Sequence, residues 1–331
     1  MADPAREWTD ERLREMEKHV REIYEQAQAE LTAKWQAYME RGQSRLDDLY
    51  QAYLSAPANK KAEALAKYQN ALQNYTLRNE WYQEMVNQTT FRLAHVNEIA
   101  LAYINGEIPS IYVANFNQID PMLANVGINW TLRDEYTVKH LFLGENGLPQ
   151  KKLNYAKDMA WNMRQINSTV LQGIIQGESI EKIATRLLPV VDNNRNAAVR
   201  TARTMVTGAE NRGRLDRYHE YEDHGVVQKK VWMATPDGRT RDWHLDLDGQ
   251  EVDIDDYFID GHGNELEYPG DPGAEPETVY NCRCSMTTHL IGIRRADGTI
   301  AKFDEDRVGT MHEAQIAAER ERREEEDDGE F

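Results

Sequence analysis

The sequence predicts an α+β protein: a long N-terminal helical hairpin, a helical middle, then a small α+β domain with an antiparallel sheet. Three observations predict this. Over residues 5–105, apolar side chains recur at three- and four-residue spacing among charged ones. After Gly225 the period shortens, and β-rich runs alternate with Pro, Asp-Gly and Gly-rich turns. A charged fraction of 29% and a mean hydropathy of -0.77 suit long solvated helices. The expected blocks are an arm at 1–106, a middle at 107–190, an α+β domain at 191–292 and a largely disordered acidic tail at 293–331.

In the arm, Leu13, Met16, Val20, Ile23 and Ala27 form one stripe, continued by Leu31, Trp35 and Tyr38. The run "SAPANKK" breaks it, because Pro57 disfavours helix at Ala56 and Asn59 can turn or cap. A second stripe holds Leu65, Tyr68, Leu72 and Tyr75, then Tyr82, Val86, Leu93, Val96 and Tyr103. Gly106 and Pro109 are expected to end it. The two rods then pair antiparallel, each roughly 60–75 Å long at 1.5 Å per residue, and the stripes form their common core.

In the middle, Thr131 is the expected cap of one helix, another ends near Gly177, and a short one runs from Ser179 to Pro189. The next helix, 192–223, carries Arg195, Arg200, Arg203, Arg212, Arg214 and Arg217. From Asp242 to Tyr280 there is no Lys or Arg, while acids recur. Opposite charge in nearby segments predicts that the basic helix packs on the acidic region. "VVQKKVWMA" reads as a strand, Asp248-Gly249 as a hairpin turn flanked by Leu247 and Val252, and "TVYNCRCSMTTHLIGI" as a closing strand.

Chemistry is constrained by absence and by position. The formal net charge of -18 argues against a general nucleic-acid coat. No apolar run approaches a membrane span, and the N-terminus lacks a signal-peptide core, so synthesis in a cytoplasm is expected. No GxSxG, P-loop, HExxH or GxGxxG motif is present. The two cysteines, Cys282 and Cys284, would share one face of a strand, with Asn281 and Arg283 on the other. At roughly 6.6 Å between Cα atoms they sit near the limit for a disulfide. Two alternatives stand. The thiols hold a metal such as Zn2+ with His244 and a fourth ligand from His262, His289 or Asp246, although Cys-x-Cys is shorter than usual zinc spacing. Alternatively they are small buried hydrophobes. Arg241, Asp242 and His244 also form an acid–base set, a hydrolase or nuclease alternative for which no nucleophile is placed.

The segments "TARTMVTGAENRGRLDRY", "KVWMATPDGRTRDWHLDLDG" and "LEYPGDPGAEPETVYNCRC" resemble, in order, the C-terminal domain of the Mu F-like family of phage minor head proteins, over about residues 180–290. The resemblance rests on Arg203-Thr204, Trp232, Arg241-Asp242-x-His244, Asp248-Gly249, Pro269-Gly270-Asp271 and Asn281-Cys282-Arg283-Cys284. Met205 stands where the family often has an acid. Some relatives carry a toxin domain after the cysteines, and the stretch here is too short to expect one. The resemblance implies a low-copy component inside the virion head, made in the host cytoplasm, with no catalytic role and no small-molecule substrate or membrane. Its implied partners are the portal protein and the major capsid or scaffold protein, and its implied tasks are head assembly, DNA packaging or delivery. A DNA-contacting internal protein using the arginine helix 195–217 is the binding-module alternative.

Overall fold

The computed structural model describes residues 3–73, 80–124, 126–142, 154–176, 178, 180–235, 238–304 and 317. The fold is α+β. Long helices supply most of the chain and a small antiparallel sheet closes its C-terminal part. The chain divides into two compact units, each drawn from separate stretches: one from Met1–Glu17, Tyr103–Lys151 and Val199–Phe331, the other from Lys18–Ala102 and Lys152–Ala198.

Helix α1 spans Pro4–Ser55, α2 spans Lys61–Gln73 and α3 spans Glu80–Asn117. The Pro57 break falls between α1 and α2 as the sequence predicts. In the second unit α1 and α3 run antiparallel: Trp35 Nε1 donates to Thr89 Oγ1 at 2.9 Å, and Tyr24 hydroxyl to Asn97 Oδ1 at 2.7 Å. The predicted stripe is buried there at Val20, Ala27, Leu31, Trp35 and Tyr38, against Val86, Leu93 and Val96. Further along, Leu72 is exposed, and the side chains of Tyr75 and Tyr82 lie outside the described residues. Helices α5 (Tyr155–Ile175) and α6 (Ile180–Arg186) complete this unit with the start of α7 (Leu188–Asp223). A side-chain amide ladder, Asn97 to Asn194 to Asn162 at 2.8 and 2.9 Å, fixes the register of three helices. Ser179 and Gly177 lie outside the described residues.

Several expectations are corrected. Helix α3 does not stop at Gly106 but continues through Pro109 to Asn117. Proline in a helix interior costs about 3 kcal/mol. Past Tyr103, α3 buries Ile104, Ile108, Ile111, Tyr112 and Phe116, and each such side chain contributes about 1.5–3 kcal/mol, so burial outweighs the proline. Helix α4 (Glu135–Phe142) is capped by Asp134, which accepts from Thr137 N at 2.9 Å, not by Thr131. Thr131 N instead donates to Glu220.

The sheet has the order β2-β1-β5-β6, all antiparallel, with β1 at Val226–Met233, β2 at Glu251–Val252, β5 at Ser285–Arg294 and β6 at Ile300–Lys302. Strands β1 and β5 pair from Val226↔Ile293 to Met233↔Ser285, with a bulge between Val227 and Gln228. A separate two-stranded ribbon joins β3 (Phe258–Ile259) to β4 (Glu265–Leu266). Strand β6 carries the sheet into the stretch expected to be tail, while 305–316 and 318–331 lie outside the described residues. The core of this unit joins Leu215, Tyr218 and Tyr221 of α7 to Trp232, Leu247, Phe258, Leu266, Cys282, Cys284 and Met286.

The sequence "HLDLDGQEVDI" is not a hairpin. Its first part is a helical turn, α8 (Asp242–Leu245), and only Glu251–Val252 pairs, with β1. The basic helix also finds different partners from those expected. Arg203 pairs with Glu17, Arg214 with Asp3 and Glu210, and Arg217 with Glu220, while Arg212 reaches the acidic region at Glu267, 3.7 Å. Carboxylates distant in sequence, Asp3 and Glu17, take Arg214 and Arg203, while Glu220 and Asp216 of α7 itself take Arg217 and Arg212.

Candidate metal centre

The cysteines do not lie in a strand. Pro276–Val279 forms the short helix α9, and the strand starts only at Ser285. Between them Asn281 takes φ 58°, a left-handed conformation that Asn tolerates better than most residues. This kink and the bond from Cys284 N to Cys282 Sγ at 3.4 Å turn both thiols inward, where they are 2% and 1% exposed.

Helix α7 holds this segment by its backbone. Thr204 Oγ1 accepts from Asn281 N at 2.9 Å, Thr207 Oγ1 donates to the Cys282 carbonyl at 2.7 Å, and Asn211 Nδ2 donates to the Cys284 carbonyl at 3.3 Å. Asn211 Oδ1 accepts from Met286 N at 3.0 Å, and Arg6 Nη2 of α1 donates to the Arg283 carbonyl at 3.2 Å. Buried backbone groups need such partners. Thr207, Asn211 and Arg6 carry no local signal of this role in the sequence beyond the 204, 207, 211 spacing on one helical face.

His244 arrives from α8, whose turn begins after extended Arg241. It is 1% exposed. Its Nδ1 lies 3.6 Å from Cys282 Sγ and 3.7 Å from Cys284 Sγ, and one ligand atom from each of the three residues lies within 4.8 Å of the others. Trp232 stands edge-on to the imidazole, centroids 5.6 Å apart. The thiol–thiol hydrogen bond is the largest influence on both sulfurs, holding Cys284 well below its ordinary pKa and Cys282 well above it; His244 adds to the lowering at Cys284 and burial to the rise at Cys282.

The three donors are spaced like three corners of a tetrahedron about a cation. With zinc–sulfur bonds near 2.3 Å and zinc–nitrogen near 2.0–2.1 Å, a tetrahedron has a nitrogen–sulfur edge of about 3.6 Å, matching the two distances found. His244 Nε2 is buried without a hydrogen-bond partner among the described residues, so Nδ1 is the nitrogen turned to the sulfurs.

Of the fourth-ligand candidates, the structure brings none to the cluster. His262 is exposed and stacks on Trp243 at 4.6 Å. His289 pairs with Glu251 at 3.1 Å. Asp246 follows α8, where two residues are about 200° apart around the axis, so it does not share the face of His244. The other motif residues shape loops. Asp248 Oδ1 accepts from Ala234 N, and Gly249, with φ 76°, donates to the Trp232 carbonyl. Arg241 reaches the Tyr280 carbonyl, while Asp242 opens α8 from the exposed side. Gly270, after Pro269, has φ 81° and presses on Gly208 of α7, where an added Cβ would meet backbone nitrogen at 2.8 Å. Asp271 accepts from Glu267 N and Gly273 N.

An α+β module whose last loop is clipped to a long helix and closed by a buried His-Cys-Cys cluster is the class defined here. Residues 164–287 match the family described as Phage Mu protein F like protein. The likeness to the Mu F-like phage head proteins lies in this stretch. It is 29% identical over 138 residues to Minor head protein GP7 of Bacillus phage SPP1, covering 40% of this chain and 44% of that protein. It is also 32% identical over 147 residues to the NAD(+)--arginine ADP-ribosyltransferase EFV of Enterococcus faecalis (strain ATCC 700802 / V583), covering 44% of this chain and 29% of that protein. The chain thus spans less than half the length of either relative. No solved structure matches significantly.

Proposed function

We propose that this protein is a minor component of a phage head, built into the virion during assembly through contacts with the portal, the major capsid or the scaffold protein. The observation that carries this is the domain match at 164–287 together with the likeness to a minor head protein. We further propose that His244, Cys282 and Cys284 hold Zn2+ in a structural role. Bound there, the ion would tie the α8 turn to the Cys-x-Cys loop. At 1% exposure, His244 is shut off from any substrate, which favours assembly over the hydrolase or nuclease alternative. Arg203, Arg214 and Arg217 of α7 are engaged by carboxylates, which favours protein partners over DNA. No described helix is long and apolar enough to cross a membrane.

The test is capture of the full-length chain by purified portal, shell and scaffold proteins, with mass spectrometry of purified virions. Binding to one of them and presence in the particle are expected. Absence from virions, with no capture, would overturn the assignment. For the metal, elemental analysis should find about one zinc per chain, lost in Cys284→Ser.

A further inference from the structure

We infer that the surface formed by the α8 turn and the outer side of β3 is a docking site for a basic protein segment that carries apolar side chains. This goes beyond assignment to the phage head, because it names a surface and the chemistry of what binds it. Strand β3 alternates: Phe258 is fully buried, while Tyr257 and Ile259 on either side are 49% and 54% exposed. Leu245 at the end of α8 is 41% exposed and Tyr280, whose carbonyl is held by Arg241, is 51% exposed. The turn after β3 abuts α8 through Gly261 beside Asp246 and His262 against Trp243, which brings Leu245 and Ile259 to neighbouring segments, and clustered exposed apolar side chains mark interaction sites.

The stretch is held rigidly. Gln250 hydrogen-bonds both the N–H and the carbonyl of Ile259, at 3.0 and 3.2 Å. Asp260 closes the following turn by accepting from His262 N, Asn264 N and Asn264 Nδ2. That turn abuts the end of α8: a Cβ on Gly261 would lie 2.7 Å from Asp246 Oδ2, and Trp243 stacks on His262. A surface fixed before binding loses little conformational entropy on binding.

Charge selects the occupant. Asp242 to Tyr280 contains thirteen Asp or Glu residues and no Lys or Arg. Cations from elsewhere reach part of it, with Lys230 Nζ on the Glu267 carbonyl at 2.8 Å, Arg212 3.7 Å from Glu267 and His289 3.1 Å from Glu251, while Asp253 and Asp255, each 3.8 Å from Lys229 and His219 respectively, stay 71% and 86% exposed. Burial first, then the neighbouring Asp255, Asp253 and Asp223, raise the pKa of Glu222, a sign of crowded negative charge. Such a field repels DNA and a second copy of the same face, and attracts Lys and Arg. The exposed Leu245, Tyr257 and Ile259 then require apolar groups between those cations.

The experiment uses the full-length protein and a fluorescent peptide of alternating Lys and Leu, beside a Lys/Ser peptide of equal charge. The expected result is salt-dependent binding of the Lys/Leu peptide, with hydrogen-exchange protection at residues 242–262. Leu245→Ser/Ile259→Ser and Asp255→Lys/Asp256→Lys should each weaken it about tenfold or more, with unchanged circular dichroism. Equal affinity for the two peptides, no effect of Leu245→Ser/Ile259→Ser, or protection elsewhere would overturn the proposal. Tighter binding of duplex DNA than of the peptide would do the same.

Discussion

Replacing Arg6 by Met should destabilise the C-terminal domain, although Arg6 lies near the other end of the chain. Its guanidinium pairs with Glu210 of α7, a carboxylate whose side chain is 1% exposed, and it also holds the Arg283 carbonyl. Removing one member of a buried ion pair costs about 3–5 kcal/mol, because the remaining charge is stranded in a poor solvent. Here Arg214 stays 3.4 Å from Glu210 and offsets part of that loss. Burial works against the charge on Arg214, but Asp3 and Glu210 outweigh it and hold its pKa raised. Adding about 1 kcal/mol for the carbonyl bond, the net expectation is roughly 3 kcal/mol, or about a hundredfold in the opening equilibrium. A single unfolding free energy is poorly defined for a chain of two units. The assay is therefore native-state amide exchange at α7 and β5, where protection should fall about a hundredfold. Met keeps the bulk of the stem, so lost packing is not the cause. Arg6→Met/Glu210→Gln should recover much of the loss, since a stranded charge is gone. Equal or greater instability in the double variant, or a loss no larger than in exposed Lys18→Ala, would refute the reasoning.

Further outcomes are expected. Lys230 is fully buried, with Nζ on the Glu267 carbonyl at 2.8 Å; burial holds its pKa down to about 8 from 10.5 against the pull of nearby carboxylates. The unfolded chain binds the extra proton between those values, so stability should rise as pH goes from about 8 to 10.5, by up to about 3 kcal/mol. The same rise should be absent in Lys230→Met, as measured by urea titration at each pH. Gly270→Ala combines a φ of 81° with backbone contacts of 2.8–3.1 Å on α7, and should lower protection at both α7 and the 265–275 loop by 2 kcal/mol or more, roughly. Chelation of a zinc-loaded preparation should expose the thiols to a thiol reagent and lower the melting temperature, whereas a His262→Ala variant should keep its metal. Full-length protein should bind duplex DNA only weakly, with Kd above roughly 10 µM at physiological salt, since Arg203, Arg214 and Arg217 of α7 are already paired with carboxylates.

Much of the secondary structure is legible from local pattern. The stripe is buried at Met16, Val20, Ala27, Leu31, Trp35 and Tyr38, the break at Pro57 is real, and the change of period after Gly225 marks the sheet. The misses fall where a long-range contact overrode a local signal. Pro109 stops an isolated helix, but α3 passes it because five apolar residues beyond Tyr103 find a core. Thr131 looks like a cap, yet Asp134 caps the helix. The Cys-x-Cys segment has strand composition, but the left-handed Asn281 and the side chains of Thr204, Thr207 and Asn211 hold it as a loop. The candidate trio His244, Cys282 and Cys284 was named from residue type. Which fourth group joins it, and which atoms face it, could not be read from a periodicity that assumed strands.

The sequence by itself determined where the long N-terminal helices and the arginine helix lie, the helical-then-β order and the residues able to bind a soft cation, because these depend on side-chain type and spacing within one turn or strand. Only the tertiary structure decided that the first turns of α1 complete the domain around residues 199–304, and that Arg203 and Arg214 of α7 meet Glu17, Asp3 and Glu210 rather than the acidic loop. A carboxylate's partner is set by which groups burial forces together. That depends on how helices more than a hundred residues apart in sequence pack, which no local pattern encodes.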